Sequence, residues 1–480
     1  MGHMAVRNSY VPLVSESVRY VTNENLTVAR DKHMQIKLRP STFFRVSGRE
    51  SLLFCPRNEA AGIVEDAQPV LSQLSLSAKD IDLIFNNAAS ALNVSPKEIG
   101  CDYKPLLDDL VRIGLIEYIS TEEDAVVLEQ KDNESDHTQG LRDDDFVMDF
   151  FRRHNIPAEL HIDLTFACNE RCVHCYHPNY PNIFLPYSTT EKILREFRDI
   201  QGLTVYLSGG ECMLHPQFDE ICCLCKELGL NIIILTNLTA CDEKRIALLQ
   251  NIAPQFINVS LYSMNAIIHD SITQIKGSWN RTMANFIACE NAGLHMRIAT
   301  PLLKENKDSF KDLKRFSEEH GVHIVPDYTI FPKSDHGTEN LCHVCTENEL
   351  EKVLRSNKEI FESVIFCGHK VSDQSKVCRI GDIRLYVNAK GNYYPCDCMH
   401  EYTLGNVEEN TLMQVWQCET LQRLRDLRIA DFIQCRKCDD RKYCMVCPAF
   451  NFISTGNLLI PGLSKCKSAA IVKRVYGGGL

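Results

Sequence analysis

The sequence predicts an α/β protein: a partial (β/α)6 TIM-type barrel, preceded by a small winged-helix module and followed by a cysteine-rich domain. Three observations carry this. From about 157 to 335, strand-like and helical patterns alternate. Before that stretch, at 30–120, two extended runs are followed by three helical patterns and a final extended run. After it, cysteines crowd: seven lie from Cys342 to Cys418 and five from Cys435 to Cys466, whereas only Cys55 and Cys101 precede residue 160.

Length and composition set limits. A chain of 480 residues exceeds one ordinary core, so two or three domains are expected. A net charge of −11 and the lack of a Lys/Arg-rich block argue against a nucleic-acid partner. No run of 18 apolar residues is present, so no membrane span is expected. No signal peptide is visible, and Met1-Gly-His-Met4 reads as a cloning remnant outside the fold. The 23 cysteines, clustered on a long chain, point to metal binding in a reducing compartment, the cytoplasm, rather than to disulfides.

Taken in order, residues 30–120 contain extended runs at Gln35–Leu38 and Phe43–Phe54, and apolar residues at helical spacing in Ala60–Leu74, Ala78–Leu92 and Tyr103–Ile113. Pro69 breaks or kinks the first of these helices. Leu115–Ile119 closes the module as a strand. Residues 121–150 are acidic, with Arg142-Asp-Asp-Asp145 among them, and read as a linker. Residues 151–335 supply strands Leu160–Phe166, Thr204–Leu207, Asn231–Leu235, Ile257–Leu261, His295–Pro301 and His323–Ile330. Between them lie helices Thr189–Ile200, Phe218–Leu228, Asp242–Ile252, Asn280–Ala292 and Phe310–His320. Such alternation implies a parallel sheet with right-handed crossovers. Active residues then belong at the carboxyl ends of the strands. Cys222, Cys223, Cys225 and Cys289 fall in helical patterns and read as small buried hydrophobes. A bridging region, 336–377, leads to the cysteine-rich domain at 378–470.

The first barrel strand runs into Cys168-Asn-Glu-Arg-Cys172-Val-His-Cys175-Tyr176, a C-x3-C-x2-C spacing. Three thiolates can hold three corners of a cubane cluster and leave one iron free to chelate a small molecule. Zinc is the alternative for such a spacing. The run resembles the signature of radical S-adenosylmethionine (SAM) enzymes, in which SAM binds that fourth iron. The resemblance implies that Cys168, Cys172 and Cys175 hold a [4Fe–4S] cluster that cleaves SAM. His174 stands where the family usually has an aromatic residue. The family's adenine contact there is largely made by backbone, and Tyr176 can supply the ring instead.

Strand ends add to this. The second strand ends in Ser208-Gly209-Gly210-Glu211. Two glycines let backbone approach a ligand, and a carboxylate accepts from an ammonium group. This is similar to the family's GGE element, which implies that Gly209, Gly210 and Glu211 hold the methionine amino group. Thr236, before Asn237 at the third strand end, and Ser260 at the fourth are placed like ribose-contacting hydroxyls or strand-end caps. Arg297 on the fifth strand reaches the methionine carboxylate or forms a structural salt bridge.

The C-terminal pattern is Cys378, Gly391, Cys396, then Cys435-x2-Cys438-x5-Cys444-x2-Cys447, then Cys466. It resembles the SPASM domain, which binds two auxiliary [4Fe–4S] clusters. Two residues, Met445 and Val446, separate the last pair where the family has three. Paired zinc sites are the alternative. The resemblance implies an outer cluster on Cys435, Cys438, Cys444 and Cys466, and an inner one on Cys378, Cys396 and Cys447. Cys367 is the expected fourth inner ligand and Cys398 its rival. With neither, the open iron could capture a substrate thiolate.

The N-terminal pattern resembles the PqqD-like peptide-recognition element, which binds a leader peptide by strand addition. A DNA-binding winged helix is disfavoured by the acidic charge. Together the three parts resemble maturases of ribosomally made peptides. The expectation is three [4Fe–4S] clusters, SAM, a precursor peptide bound through its leader, and an electron donor such as flavodoxin or ferredoxin. The expected reaction is hydrogen abstraction followed by an oxidative cross-link, thioether or carbon–carbon. Alternatives are a peptide epimerase, a sulfatase-maturing type of enzyme and, from another class, a non-catalytic iron–sulfur electron carrier.

Overall fold

Residues 34–56, 60–120, 145–362, 364–365, 372–378 and 380–477 are described by the computed structural model. They fall into two units, one ending at His154 and the other running on from Asn155.

The N-terminal unit comprises β1 (Met34–Leu38), β2 (Phe43–Ser47), β3 (Glu50–Cys55), β4 (Ala60–Glu65), α1 (Gln68–Leu71), β5 (Lys79–Asp80), α2 (Ile81–Leu92), α3 (Pro96–Arg112), β6 (Ile116–Ser120) and α4 (Asp145–Arg153). The expected single run at 43–54 is a hairpin, turned at Gly48 with φ of +59°. The expected helix Ala60–Leu74 is instead β4 followed by the single turn α1. Strand β4 pairs residue for residue with β3, from Glu50 opposite Glu65 to Cys55 opposite Ala60. Cross-strand pairing therefore overrides the helical spacing of its apolar residues. Pro69 sits in the first turn of α1, where a missing N–H is harmless. Helix α2 starts where the Asp80 carboxylate accepts from the amides of Asp82 and Leu83. Helix α3 begins two turns earlier than expected, at a capping box between Ser95 and Glu98. The strands form two antiparallel sheets, β5-β1-β6 and β2-β3-β4. Ile36, Leu53, Val64, Ile84 and Leu107 meet in this unit's own core. Residues 121–144 of the acidic segment lie outside the described residues. Its last part enters α4, and Arg153, the last residue of that helix, and His154 just after it both bind Glu50.

The C-terminal unit is built on β7 (Glu159–Thr165), β8 (Thr204–Gly209), β9 (Asn231–Thr236), β10 (Phe256–Ser260), β11 (Met296–Pro301) and β12 (His323–Asp327). Helices α5 (Tyr187–Asp199), α6 (Phe218–Glu227), α7 (Glu243–Ile252), α8 (Ala266–Thr273), α9 (Ser278–Asn291) and α10 (Phe310–His320) connect them. The six strands are parallel and ordered in sequence. Beyond them come α11 (Glu347–Ser356), α12 (Lys358–Glu362), β13 (Arg384–Val387), β14 (Asn392–Tyr394) and β15 (Gly405–Asn406). Strand β13 adds parallel to β7, so the cysteine-rich region continues the same sheet. Helix α8 was not expected. Asn265 caps it by accepting from the amides of Ile267 and Ile268, and in its first turn the apolar Ile267 is exposed while the polar His269 is buried, which blurs the apolar periodicity.

The two faces of β7 differ in kind. Leu160, Ile162 and Leu164 join the core under the helices. Glu159, His161, Asp163 and Thr165 point the opposite way, as alternation requires, and are equally buried. Parallel strands covered on both faces usually read as continuous apolar runs. The buried polar face of β7 is an exception to that pattern.

Candidate active site

The cysteine loop is built where β7 gives out. The β7–β8 register shifts between Asp163 and Thr165, so Thr165 lies opposite Gly209. The Thr165 hydroxyl donates to the Ile183 carbonyl at 2.7 Å and accepts from the Ala167 amide at 2.9 Å, turning the chain into the loop. Gly210 and Glu211 donate their amides to the carbonyls of Thr165 and Ala167. A Cβ at Gly209 would lie 2.2 Å from the Thr165 oxygen, and one at Gly210 2.3 Å from the Ala167 oxygen. Only glycine permits this approach, at Gly209 with φ of +127°. The loop's far side is pinned by amides of Arg171 and Val173 donating to carbonyls of Thr273 and Ile272 in α8.

Cys168, Cys172 and Cys175 are all half-buried on this loop. Backbone amides are aimed at the sulfurs: Glu170 donates to Cys168 Sγ at 3.4 Å, and His177 to Cys175. Burial still pushes the Cys168 thiol up to about 12, and holds Cys172 and Cys175 above the usual range. Thiols in this state ionise when a metal supplies the charge. The donor set therefore fits a cluster better than a reactive free thiol.

Glu211 is 1% exposed. Its carboxylate accepts from the Met213 amide at 3.0 Å, the Thr236 hydroxyl at 2.8 Å and the Asn237 amide at 2.7 Å. The Cys212 thiol also donates weakly to Oε1 at 3.8 Å, whereas Oε2 takes only the Asn237 amide and keeps room for one more donor. Burial raises the Glu211 pKa, opposed by these bonds. Thr236 thus orients Glu211. Asn237, barely noted in the sequence, donates its side-chain amide to Asn169 in the cysteine loop at 2.8 Å and ties the third strand end to it.

The remaining expected residues separate. Ser260 is at the end of β10 and bonds the Tyr262 hydroxyl. That hydroxyl also lies 3.5 Å from Cys172 Sγ, a contact that sequence spacing did not reveal. His174 stacks edge-on against Tyr262 at 5.1 Å, and its carbonyl accepts from Asn340 at 3.3 Å. Tyr176 turns away from these groups, its ring 5.8 Å from His400. Arg297 does not join the others at the rim. It lies opposite Asn258, two residues before Ser260, with its guanidinium 3.3 Å from the centroid of Phe256, the first residue of β10.

The C-terminal cysteines form two groups. Cys378, Cys396, Cys398 and Cys447 pack together against Ile380, Met399, Leu424 and Ala449. Amides of Ile380 and Phe450 donate to Cys378 and Cys447 at 3.4 Å each, and the Cys398 amide donates to Cys396. In the other group, Cys435 is pushed up to about 11 by burial and by the neighbouring Cys466 and Cys438. Cys444 is pushed up to about 12 by burial, with Cys435, Cys466 and Cys438 adding to it. Cys367 lies outside the described residues. Among the described residues no three His, Cys, Asp or Glu side chains converge tightly enough for a single metal ion. Of the helix cysteines, Cys222, Cys225 and Cys289 are buried and Cys223 is exposed.

Comparison with known families places a Radical SAM superfamily domain at residues 162–317 and a SPASM iron–sulfur cluster-binding domain at 378–439. The chain is a radical SAM/SPASM enzyme. Among its relatives, an AdoMet-dependent heme synthase of Methanosarcina barkeri is 25% identical over 334 residues, covering 64% of this chain and 95% of that one. The subtilosin biosynthesis protein AlbA of Bacillus subtilis is 24% identical over 307 residues, covering 61% and 67%. In fold, the radical SAM/SPASM enzyme resembles Streptococcus suis SuiB bound to its precursor peptide SuiA. The TM-score is 0.61 at 18% identity, over 90% of this chain and 99% of that one. No helix among the described residues is long and apolar enough to cross a membrane.

Proposed function

We propose that the enzyme matures a ribosomally made precursor peptide, taking hydrogen from it and installing an oxidative cross-link, thioether or carbon–carbon. The observation that carries this is the extent of the fold likeness. A match over 90% of the chain reaches into both units and is to a protein seen with its precursor peptide. The heme synthase match covers 64% and leaves over a third of this chain without a counterpart.

In this reading Cys168, Cys172 and Cys175 hold the SAM cluster, Glu211 takes the SAM ammonium, and Gly209 and Gly210 let backbone reach it. Thr236 and Asn237 keep Glu211 in place, and Ser260 with Tyr262 faces the same rim. Cys168, Cys172 and Cys175 would hold a cluster that, with SAM and an electron from a flavodoxin or ferredoxin, would supply the 5′-deoxyadenosyl radical for hydrogen abstraction. Cys435, Cys438, Cys444 and Cys466 hold the outer auxiliary cluster. Cys378, Cys396 and Cys447 hold the inner one, with Cys367 or the neighbouring Cys398 as fourth ligand. Residues 30–120 bind the leader as an added strand. The reaction belongs in the cytoplasm, where thiolate clusters survive.

The test is incubation of the reconstituted enzyme with SAM, dithionite and a short peptide encoded beside its gene. The expected product has lost two hydrogens and is matched by 5′-deoxyadenosine. Deoxyadenosine with a peptide of unchanged mass but altered stereochemistry would replace the cross-link with epimerisation.

A further inference from the structure

Asp163 is a buried carboxylate that the sites above leave without a role. It stands on the polar face of β7 with 0% exposure. Tyr386 on β13 donates its hydroxyl to Asp163 Oδ2 at 2.5 Å. Among the described residues Oδ1 of Asp163 has no hydrogen-bond partner. Nor has Nε2 of His161 or of His177, 3.8 and 3.9 Å from the carboxylate. Nor has Nε2 of His400, whose ring is 5.8 Å from that of Tyr386. Buried polar atoms without partners are costly and rare, and here they gather around one carboxylate. The groups facing it come from every neighbouring element: His161 on its own strand, Tyr386 on β13, Tyr176 and His177 on the cysteine loop, and Asp397 and His400 after β14. The charge of Asp163 is felt at Cys175, and that of Asp397, next to Cys396, is felt at Asp163.

Joining a carbon to a partner atom X removes the hydrogens of C–H and X–H. The first leaves as an atom, with the deoxyadenosyl radical. When the carbon radical bonds to X, the second leaves as a proton, and the odd electron passes to an oxidised iron–sulfur centre. We propose that Asp163 accepts this proton, with Nε2 of His161 on the same strand placed to relay it. The proposal rests on the cross-linking reading. Burial raises the Asp163 carboxyl to about 7, against the Tyr386 bond, which suits a base working near neutrality.

The test uses the holoenzyme with SAM, dithionite and precursor peptide deuterated at the attacked carbon. D163N should still pass deuterium to 5′-deoxyadenosine while cross-linked product falls roughly a hundredfold. Y386F should keep product but move the acid limb of its pH profile upward, because a donor to the carboxylate is gone. Without SAM or reductant, a pH-difference infrared titration should show a carboxyl band with a midpoint near 7 that D163N lacks. Normal product from D163N, joint loss of product and deuterium transfer in D163N, or an unmoved Y386F profile would each overturn the proposal. Absence of deuterium transfer in the wild type would overturn the hydrogen-abstraction reading instead.

Discussion

The join between the second strand end and the cysteine loop is the part of the site most exposed to a single methyl group. In Gly209→Ala the new Cβ would meet the Thr165 carbonyl oxygen at 2.2 Å, and in Gly210→Ala the Ala167 oxygen at 2.3 Å. Both obstacles are backbone, so relief requires the loop to retreat by roughly 1 Å, breaking the amide bonds to the same two carbonyls. Overpacking of this kind costs about 1–3 kcal/mol. At Gly209 the φ of +127° adds about 1–3 kcal/mol of backbone strain. The loop that retreats carries Cys168, so the damage should fall on SAM binding as well as on stability. We expect SAM affinity, read by calorimetry on the reconstituted protein, to weaken roughly tenfold or more in both variants. Gly229→Ala is the control. Its φ is +62°, but nothing lies within 4 Å of its Cβ, so it should lose about 1 kcal/mol of stability and no SAM affinity. Unchanged SAM binding in Gly209→Ala and Gly210→Ala would refute the argument that close backbone approach builds the site.

Glu211→Gln should weaken SAM binding by about 1.5–3 kcal/mol, since a charge-assisted bond is lost. In the wild type, burial raises the Glu211 pKa, so affinity should fall on acidification sooner than for an ordinary carboxylate; a titration of SAM affinity against pH checks this. Replacing Cys168, Cys172 and Cys175 together by alanine should remove about a third of roughly twelve irons per chain, as measured by iron analysis, and abolish deoxyadenosine release. Of Cys367→Ala and Cys398→Ala, the variant that removes the inner cluster's fourth ligand should alter one auxiliary-cluster EPR signal, and the other should leave all signals in place. Burial lowers the pKa of His161, His177 and His269 to about 4. Their unfolded forms bind protons from about 6.5 downward, so each costs denaturant stability as pH falls from about 6.5 to about 4, whereas Asp163 and Glu170, raised to about 7, act in the opposite sense; His269→Gln should therefore lose less stability over that window than the wild type, and an unchanged slope would mean that His269 is protonated in the fold.

Much of the parallel sheet was legible in the sequence because its signals are local. Alternating apolar runs and helical spacings located six strands and five of the helices between them, and caps such as Asp242 explain their starts. What misled was also local. Ala60–Glu65 has helical spacing, yet its partner β3 makes it a strand. Ser47-Gly48-Arg49-Glu50 hid a hairpin within one apolar run. Asn265 signalled α8, but an exposed Ile267 and a buried His269 concealed the apolar face.

The site divides along the same line. Cysteine spacings and the Gly209-Gly210-Glu211 run were readable because ligands on one short loop are constrained by chain geometry alone. The tertiary structure decided the rest. It drew Arg297 down onto Phe256, set Cys398 among Cys378, Cys396 and Cys447, and gave the Thr236 hydroxyl to Glu211. It also brought Tyr386 to Asp163 across 223 residues of chain and Arg384 to Glu159 across 225. Alternation along β7 says that His161 and Asp163 share a face. Whether that face meets solvent, helices or a polar lumen depends on β13 pairing beside it, and strand pairing at such separations is set by packing of the whole sheet, which no local pattern encodes.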